Sequence, residues 1–128
     1  MEQKTHLAIS ARYVGVVEEL GEGTSRVRLD AVAEMAADHR GLVHGGFTFG
    51  LADYAAMVAV NDPHVVLGGA EVRFTAPVRV GQRMVASARV EEVKGKKRVV
   101  RVTVEADGVA VLEGTFSTFV LERHVLDG

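Results

Sequence analysis

Within VHGGFTFGLADYAAMVAV, residues 43–60, Asp53 is the only carboxylate among apolar, small and hydroxylated neighbours. Gly45 and Gly46 open the stretch, and a glycine pair at a helix start leaves backbone N–H groups uncovered where the macrodipole favours negative charge. An anion hole and a lone acid on one short element suit chemistry on a polarised carbonyl. Flanked by Leu51, Ala52, Tyr54 and Ala55, Asp53 is expected to have a pKa raised by desolvation unless a donor is close, which suits a general base. A plainer reading stands beside this one, in which Asp53 is a structural acid paired with an arginine or bonded to nearby backbone. Asp53 and Gly50 are both poor interior helix formers, so their presence asks for a compensating use. For Gly50 the simplest use is close packing of the helix on another helix or strand.

The histidines add less. His44 is placed to organise the helix entry with its ring, and direct proton transfer by it is the lesser expectation. His39 and His44 lie five apart across a loop, not at the i, i+4 spacing of a helical zinc pair, and His6, His64 and His124 are scattered. The chain has no cysteine, which removes disulfides, thiolate ligands and a cysteine nucleophile. No metal site and no cofactor are expected. Neither GxGxxG nor GxxxxGK[ST] occurs.

These residues need a scaffold, and the pattern outlines one. A short leading helix is expected over residues 5–10, and a hairpin of strands 13–19 and 25–31 turned at Gly21-Glu22-Gly23. The irregular AVAEMAADHRG then leads into the apolar helix. From about Val65 the period becomes two: Val72, Phe74, Ala76, Val78 and Val80 alternate with Arg73, Thr75 and Arg79, which reads as a strand bent at Pro77. Strands over 84–93 and 98–106 are joined by Lys94-Gly95-Lys96-Lys97, and Asp107-Gly108 turns the chain into a strand over 109–121. The second half reads as an antiparallel meander. One apolar helix followed by long alternating strands predicts an α+β fold, an antiparallel sheet wrapped around one long central helix, with open edges suited to dimerisation.

Bulk properties fit a single domain over residues 1–128. The chain is 48% hydrophobic and 25% charged with net charge −2, the balance of an ordinary globular protein with no general pull toward nucleic acid or anionic membrane. The apolar run up to Val60 is short of a membrane span. MEQKTHLAIS lacks the basic-then-apolar pattern of a secretory signal, so a cytoplasmic location is expected.

The run His44-Gly45-Gly46, with Asp53 after six intervening residues in HGGFTFGLAD, resembles the signature of hotdog-fold acyl-CoA thioesterases of the phenylacetyl-CoA thioesterase type. The order of loop, HGG, apolar helix and strands containing VRFTAPVRVGQRMVASARV is similar to that family's plan over nearly the whole chain. The resemblance implies a hotdog fold and a homodimer, often paired into a tetramer, with active sites at the dimer interface. It implies hydrolysis of an acyl-CoA to free acid and CoA. Asp53 would act as general base on water or as nucleophile through a transient anhydride. Helix geometry agrees with the dimer: Gly45 and Asp53 are separated by ~12 Å along the axis, so one carbonyl touching both needs the acid from a second chain.

The chain departs from the family at one position. Relatives commonly carry an Asn six positions before the motif histidine, and here Asp38 stands there, next to His39. An ionised Asp38 cannot donate a hydrogen bond and would repel an oxyanion unless turned away, leaving the Asn role to His39 or to loop backbone. A serine that some relatives place after the helix is missing around Leu67-Gly68-Gly69. CoA phosphates would need basic partners, for which Lys94, Lys96, Lys97 and Arg98 form the densest cluster and Arg73 and Arg79 are further candidates. A charged hairpin tip is more usually just a solvated turn that also protects strand edges. Phe47, Thr48 and Met57 are expected to line the acyl pocket.

Two other readings remain open. VRFTAPVRVGQRMVASARV also resembles the effector domain of malonyl-CoA-responsive fatty-acid repressors, which bind acyl-CoA without hydrolysing it. A hotdog hydratase or dehydratase would share the helix and use a His-plus-acid pair on the acyl chain.

Overall fold

The computed structural model describes residues 1–128. A four-residue helix, α1 (Ala11–Val14), leads into strands β1 (Val16–Gly21) and β2 (Thr24–Asp30). Helix α2 (Gly45–Val60) follows, then strands β3 (Val65–Phe74), β4 (Arg83–Lys94), β5 (Lys97–Ala106) and β6 (Val109–Val120). All strand pairs are antiparallel in one six-stranded sheet ordered β1-β2-β4-β5-β6-β3. The sheet curls around α2 in the hotdog arrangement.

Period two explains which side holds the core. Val27 and Leu29 of β2, Met84, Ala86 and Ala88 of β4, Val100, Val102 and Val104 of β5, and Leu112 and Phe116 of β6 all turn inward and are buried. Against them lie Leu51, Ala52, Ala55, Ala56 and Ala59, alanines that let the helix settle close to the strands. Two polar links fix its height and rotation. Ser25 Oγ donates to Ala55 O (2.7 Å) and Thr48 Oγ1 donates to Met84 S (3.5 Å). α2 ends where Asn61 takes the left-handed conformation (φ 53°), with its N–H on Met57 O. No helix is long and apolar enough to cross a membrane.

Three expectations are corrected. The leading helix lies at Ala11–Val14, not over residues 5–10. There the chain is extended against α2: Gln3 Nε2 donates to Tyr54 OH, Lys4 N–H to Asn61 Oδ1, and Asn61 Nδ2 to Glu2 O, while His6 sits at φ 55°. The strand expected to bend at Pro77 stops at Phe74. Pro77 has no N–H for a ladder and restricts Ala76, so residues 78–80 leave β6 and pair with the loop before α2, where Val43 N–H donates to Val78 O. Last, the meander comprises β4, β5 and β6 only. β3 adds beyond β6 as an edge, with Val65 opposite Val120 and Phe74 opposite Leu112.

Candidate active site

The start of α2 is held from three directions. His44 N–H donates to Met35 O (2.9 Å), and Leu42 bridges Arg79. Gly41 N–H donates to Asp38 O with Gly41 at φ 80°, a turn that a side chain would strain. The first N–H of the helix to find a backbone acceptor is that of Phe47, on His44 O (3.1 Å), so the Gly45 and Gly46 N–H groups stay free. His44 caps with its backbone only. Its ring makes no hydrogen bond, packs edge-on to Phe47 (centroids 6.2 Å apart, 83°) and lies across Gly46.

Gly45 has a different neighbour. The ring of Phe74, 54% exposed at the end of β3, stands where a Gly45 Cβ would meet it at 3.4 Å. Phe74, Gly45, Val43, Thr48, Ala76 and Val111 line an open hollow of about 460 Å³ beside the helix start. In the sequence Phe74 is only one apolar member of an alternating stretch. Its proximity to Gly45 depends on β3 returning along β6, which local periodicity does not encode.

Asp53 sits two turns further along, half-buried. Its Oδ1 is buried with no hydrogen-bond partner, and desolvation pushes its pKa from 3.8 up to about 6. No arginine pairs with it: the ion pairs of the chain involve Arg12, Arg26, Arg28 and Arg83. Gly50, one turn before it on the same helix face, has nothing within 4 Å of the place a Cβ would occupy, so close packing within the chain does not explain that glycine. Gly46, Gly50 and Asp53 thus share the one face of α2 that the sheet leaves uncovered.

The remaining expected site residues divide. Asp38 turns its carboxylate to its own loop, Oδ1 accepting from Arg40 N–H (2.9 Å) and Leu42 N–H (3.2 Å). That bonding answers the expected repulsion, since the acid is occupied in shaping the loop. His39 is exposed at the loop tip and bonds to nothing. Thr48 reaches the hollow beside Phe74. Phe47 packs between His44 and Tyr13 instead (6.2 Å to each ring), and Met57 is 1% exposed in the core. Arg73 lies on the outer sheet face. Arg98 Nη1 donates to Gly95 O, closing its own turn, and Lys96 lies beside Leu121 and His124. Lys97 pairs with Phe119 and β3 runs from Val66, opposite Phe119, to Phe74 at Gly45. The basic turn is therefore ~26 Å along the sheet from the Gly45 of its own chain. No three His, Asp or Glu side chains converge as a metal site.

This fold and helix define a class. The thioesterase superfamily model matches residues 40–113, and the chain belongs to that superfamily, in its hotdog form. The crystal structure of the uncharacterized protein PH1136 from Pyrococcus horikoshii is 56% identical, with a TM-score of 0.97 over 99% of this chain and 98% of that one. A mutant of the phenylacetic acid degradation protein PaaI from Thermus thermophilus is 28% identical, with a TM-score of 0.78 over 87% and 97%. Among curated proteins, a methylthioribose-1-phosphate isomerase from Aquifex aeolicus is 47% identical over 94% of this chain. The transcription factor FapR of Caldanaerobacter subterraneus is 26% identical over 97%. The chain spans only 26% of the first protein's length and 62% of the second's.

Proposed function

We propose that the chain hydrolyses the thioester of an acyl-CoA, at a site assembled from two copies. The observation that carries this reading is the pair of unmet groups on α2: the free N–H donors of Gly45 and Gly46, and the partnerless Oδ1 of Asp53. In water-excluded surroundings the glycine N–H groups stabilise the oxyanion that forms when the thioester carbonyl is attacked. Asp53, with its raised pKa, takes the proton of the attacking water, or attacks as a nucleophile itself. Because ~12 Å of helix separates the two groups, the acid serving one carbonyl comes from the other copy. The uncovered face of Gly46 and Gly50 suits an antiparallel neighbour helix, and the exposed edge of β3 suits sheet continuation beside it. Phe74 and Thr48 then bound the acyl group next to the carbonyl. In such a pair the Lys96 turn of one copy lies toward the helix start of the other, where CoA phosphates would enter.

The test is thiol release from short, medium, long and aromatic acyl-CoAs, followed with a chromogenic thiol reagent to which this cysteine-free protein contributes no background. Release that is lost in Asp53→Asn upholds the reading. Acyl-CoA raising the melting temperature with no release points instead to a binding module of the repressor type. Loss of enoyl-CoA absorbance without thiol points to a hydratase.

A further inference from the structure

The outer face of the sheet carries a feature that acyl-CoA hydrolysis does not use. Arg89 of β4 lies directly opposite Arg101 of β5 in the strand register, both on the solvent side, since Ala88, Val100 and Val102 beside them turn into the core. Like charges directly opposed across a strand pair destabilise a sheet. Neither guanidinium has a carboxylate within 4 Å, and neither makes a hydrogen bond within the chain. Arg26 of β2 stands two positions along from Thr24, the residue opposite Arg89, and is already engaged by Glu19 at 3.6 Å. Together with Thr24, Ser87 and Glu91 these side chains ring a hollow of about 420 Å³. The sheet itself, with its buried inner side, separates this hollow from α2 and Asp53.

We infer that this hollow is a second binding site, for a phosphate-bearing anion held between Arg89 and Arg101. Opposed residues on antiparallel strands have Cα atoms ~5 Å apart, so both planar guanidinium forks reach one tetrahedral group. A carboxylate satisfies a single fork with its two oxygens, whereas a phosphate offers a third oxygen and more charge to the second fork. Arg26 completes the positive rim, with Thr24 and Ser87 as neutral hydroxyl partners. Glu19 stays on Arg26. With Arg26, Arg89 and Arg101 set against Glu19 and Glu91 the rim stays net positive, which favours a phosphomonoester or pyrophosphate over a singly charged acid.

The test is thermal melting of the full chain in sodium pyrophosphate, with sodium chloride at matched ionic strength as control. The native protein is expected to show a saturable rise of about 3 °C or more at millimolar pyrophosphate, absent in Arg89→Ser/Arg101→Ser. Arg89→Ser alone should weaken apparent affinity about ten-fold. Without anion the double variant should melt no lower than the native protein, because removing the opposed charges relieves the sheet. A parallel titration with coenzyme A distinguishes the source of the phosphate. A rise lost in the variant for coenzyme A as well as pyrophosphate assigns the ligand's nucleotide phosphates, and loss for pyrophosphate alone assigns a free anion. The proposal is overturned by no saturable rise in the native protein, or by an equal rise in the double variant. It is overturned too if the double variant changes only its elution volume, which would make the face a subunit contact.

Discussion

The imidazole of His44 lies over Gly46 so closely that its Cδ2 and Nε2 would both stand 2.9 Å from a Cβ there. The ring and the glycine form one device, with the ring's place open only while residue 46 has no side chain. His44 is exposed and can swing away, so Gly46→Ala is expected to cost little stability. It should nonetheless lower kcat/KM about ten-fold or more by displacing the His44 ring from its place beside the N–H donors. His44→Ala should cost a similar factor, and the double variant little beyond either alone. Steady-state kinetics on the four proteins check this, and full additivity would separate the two residues.

The pKa of Asp53 sets both activity and stability against pH. Since the folded value is about 6 and the unfolded reference 3.8, the folded state holds the extra proton between those values. Stability relative to Asp53→Asn is therefore greatest below pH 3.8, declines as pH rises through the window, and levels off above about 6. The difference is on the order of 1–2 kcal/mol for a half-buried group after solvent screening. Urea midpoints of both proteins at pH 4.5, 6 and 7.5 measure it. Turnover should move the opposite way, with kcat/KM rising through an apparent pKa near 6 as the base ionises.

Asp38 is a loop organiser in this chain. Asp38→Asn keeps an acceptor oxygen for Arg40 and Leu42 N–H and is expected to melt within about 2 °C of the native protein. Asp38→Ala removes both bonds and should cost about 1–2 kcal/mol. If the alanine variant melts as the native protein does, the loop does not depend on these bonds.

Gly50 offers a clean assay of the two-copy site. A Cβ there would meet nothing within 4 Å in its own chain and the position is on the uncovered helix face, so Gly50→Leu is expected to fold with unchanged helical circular dichroism. The side chain would keep a second helix away, giving a monomer on size-exclusion chromatography and thiol release reduced at least 100-fold. A dimeric, fully active Gly50→Leu would place the contact elsewhere.

Local signals carried far in this sequence. Asp107 and Gly108 both take positive φ (50° and 79°), so the dipeptide that marks such a turn also fixed where β5 ends and β6 begins. The glycine pair and lone acid, eight positions apart at most, lay within one helix and could be read along it. Relationships that span the fold were hidden. Phe74 reaches Gly45 because β3 pairs with β6 and not with β4. The bonds of Asp38 depend on how a six-residue loop folds back on itself. The N-terminal residues looked free to form a helix, but the Asn61 amide and Tyr54 hydroxyl draw them out along α2.

The strand order also governs how the molecule comes to be. β4, β5 and β6 are neighbours along the chain and can zip together through two short turns, whereas Thr24 must find Arg89 and Val65 must find Val120 across long intervening stretches. Loop closure makes those distant pairings the slow events, on a scale of milliseconds to seconds for sheet-rich folds. Until they occur, the three-stranded ribbon exposes Val100, Val102, Val104 and Phe116 with no helix laid over them. Newly made chains are thus most prone to aggregate in that interval, and α2, with its acid and its glycines, gains a fixed position only at the end of it.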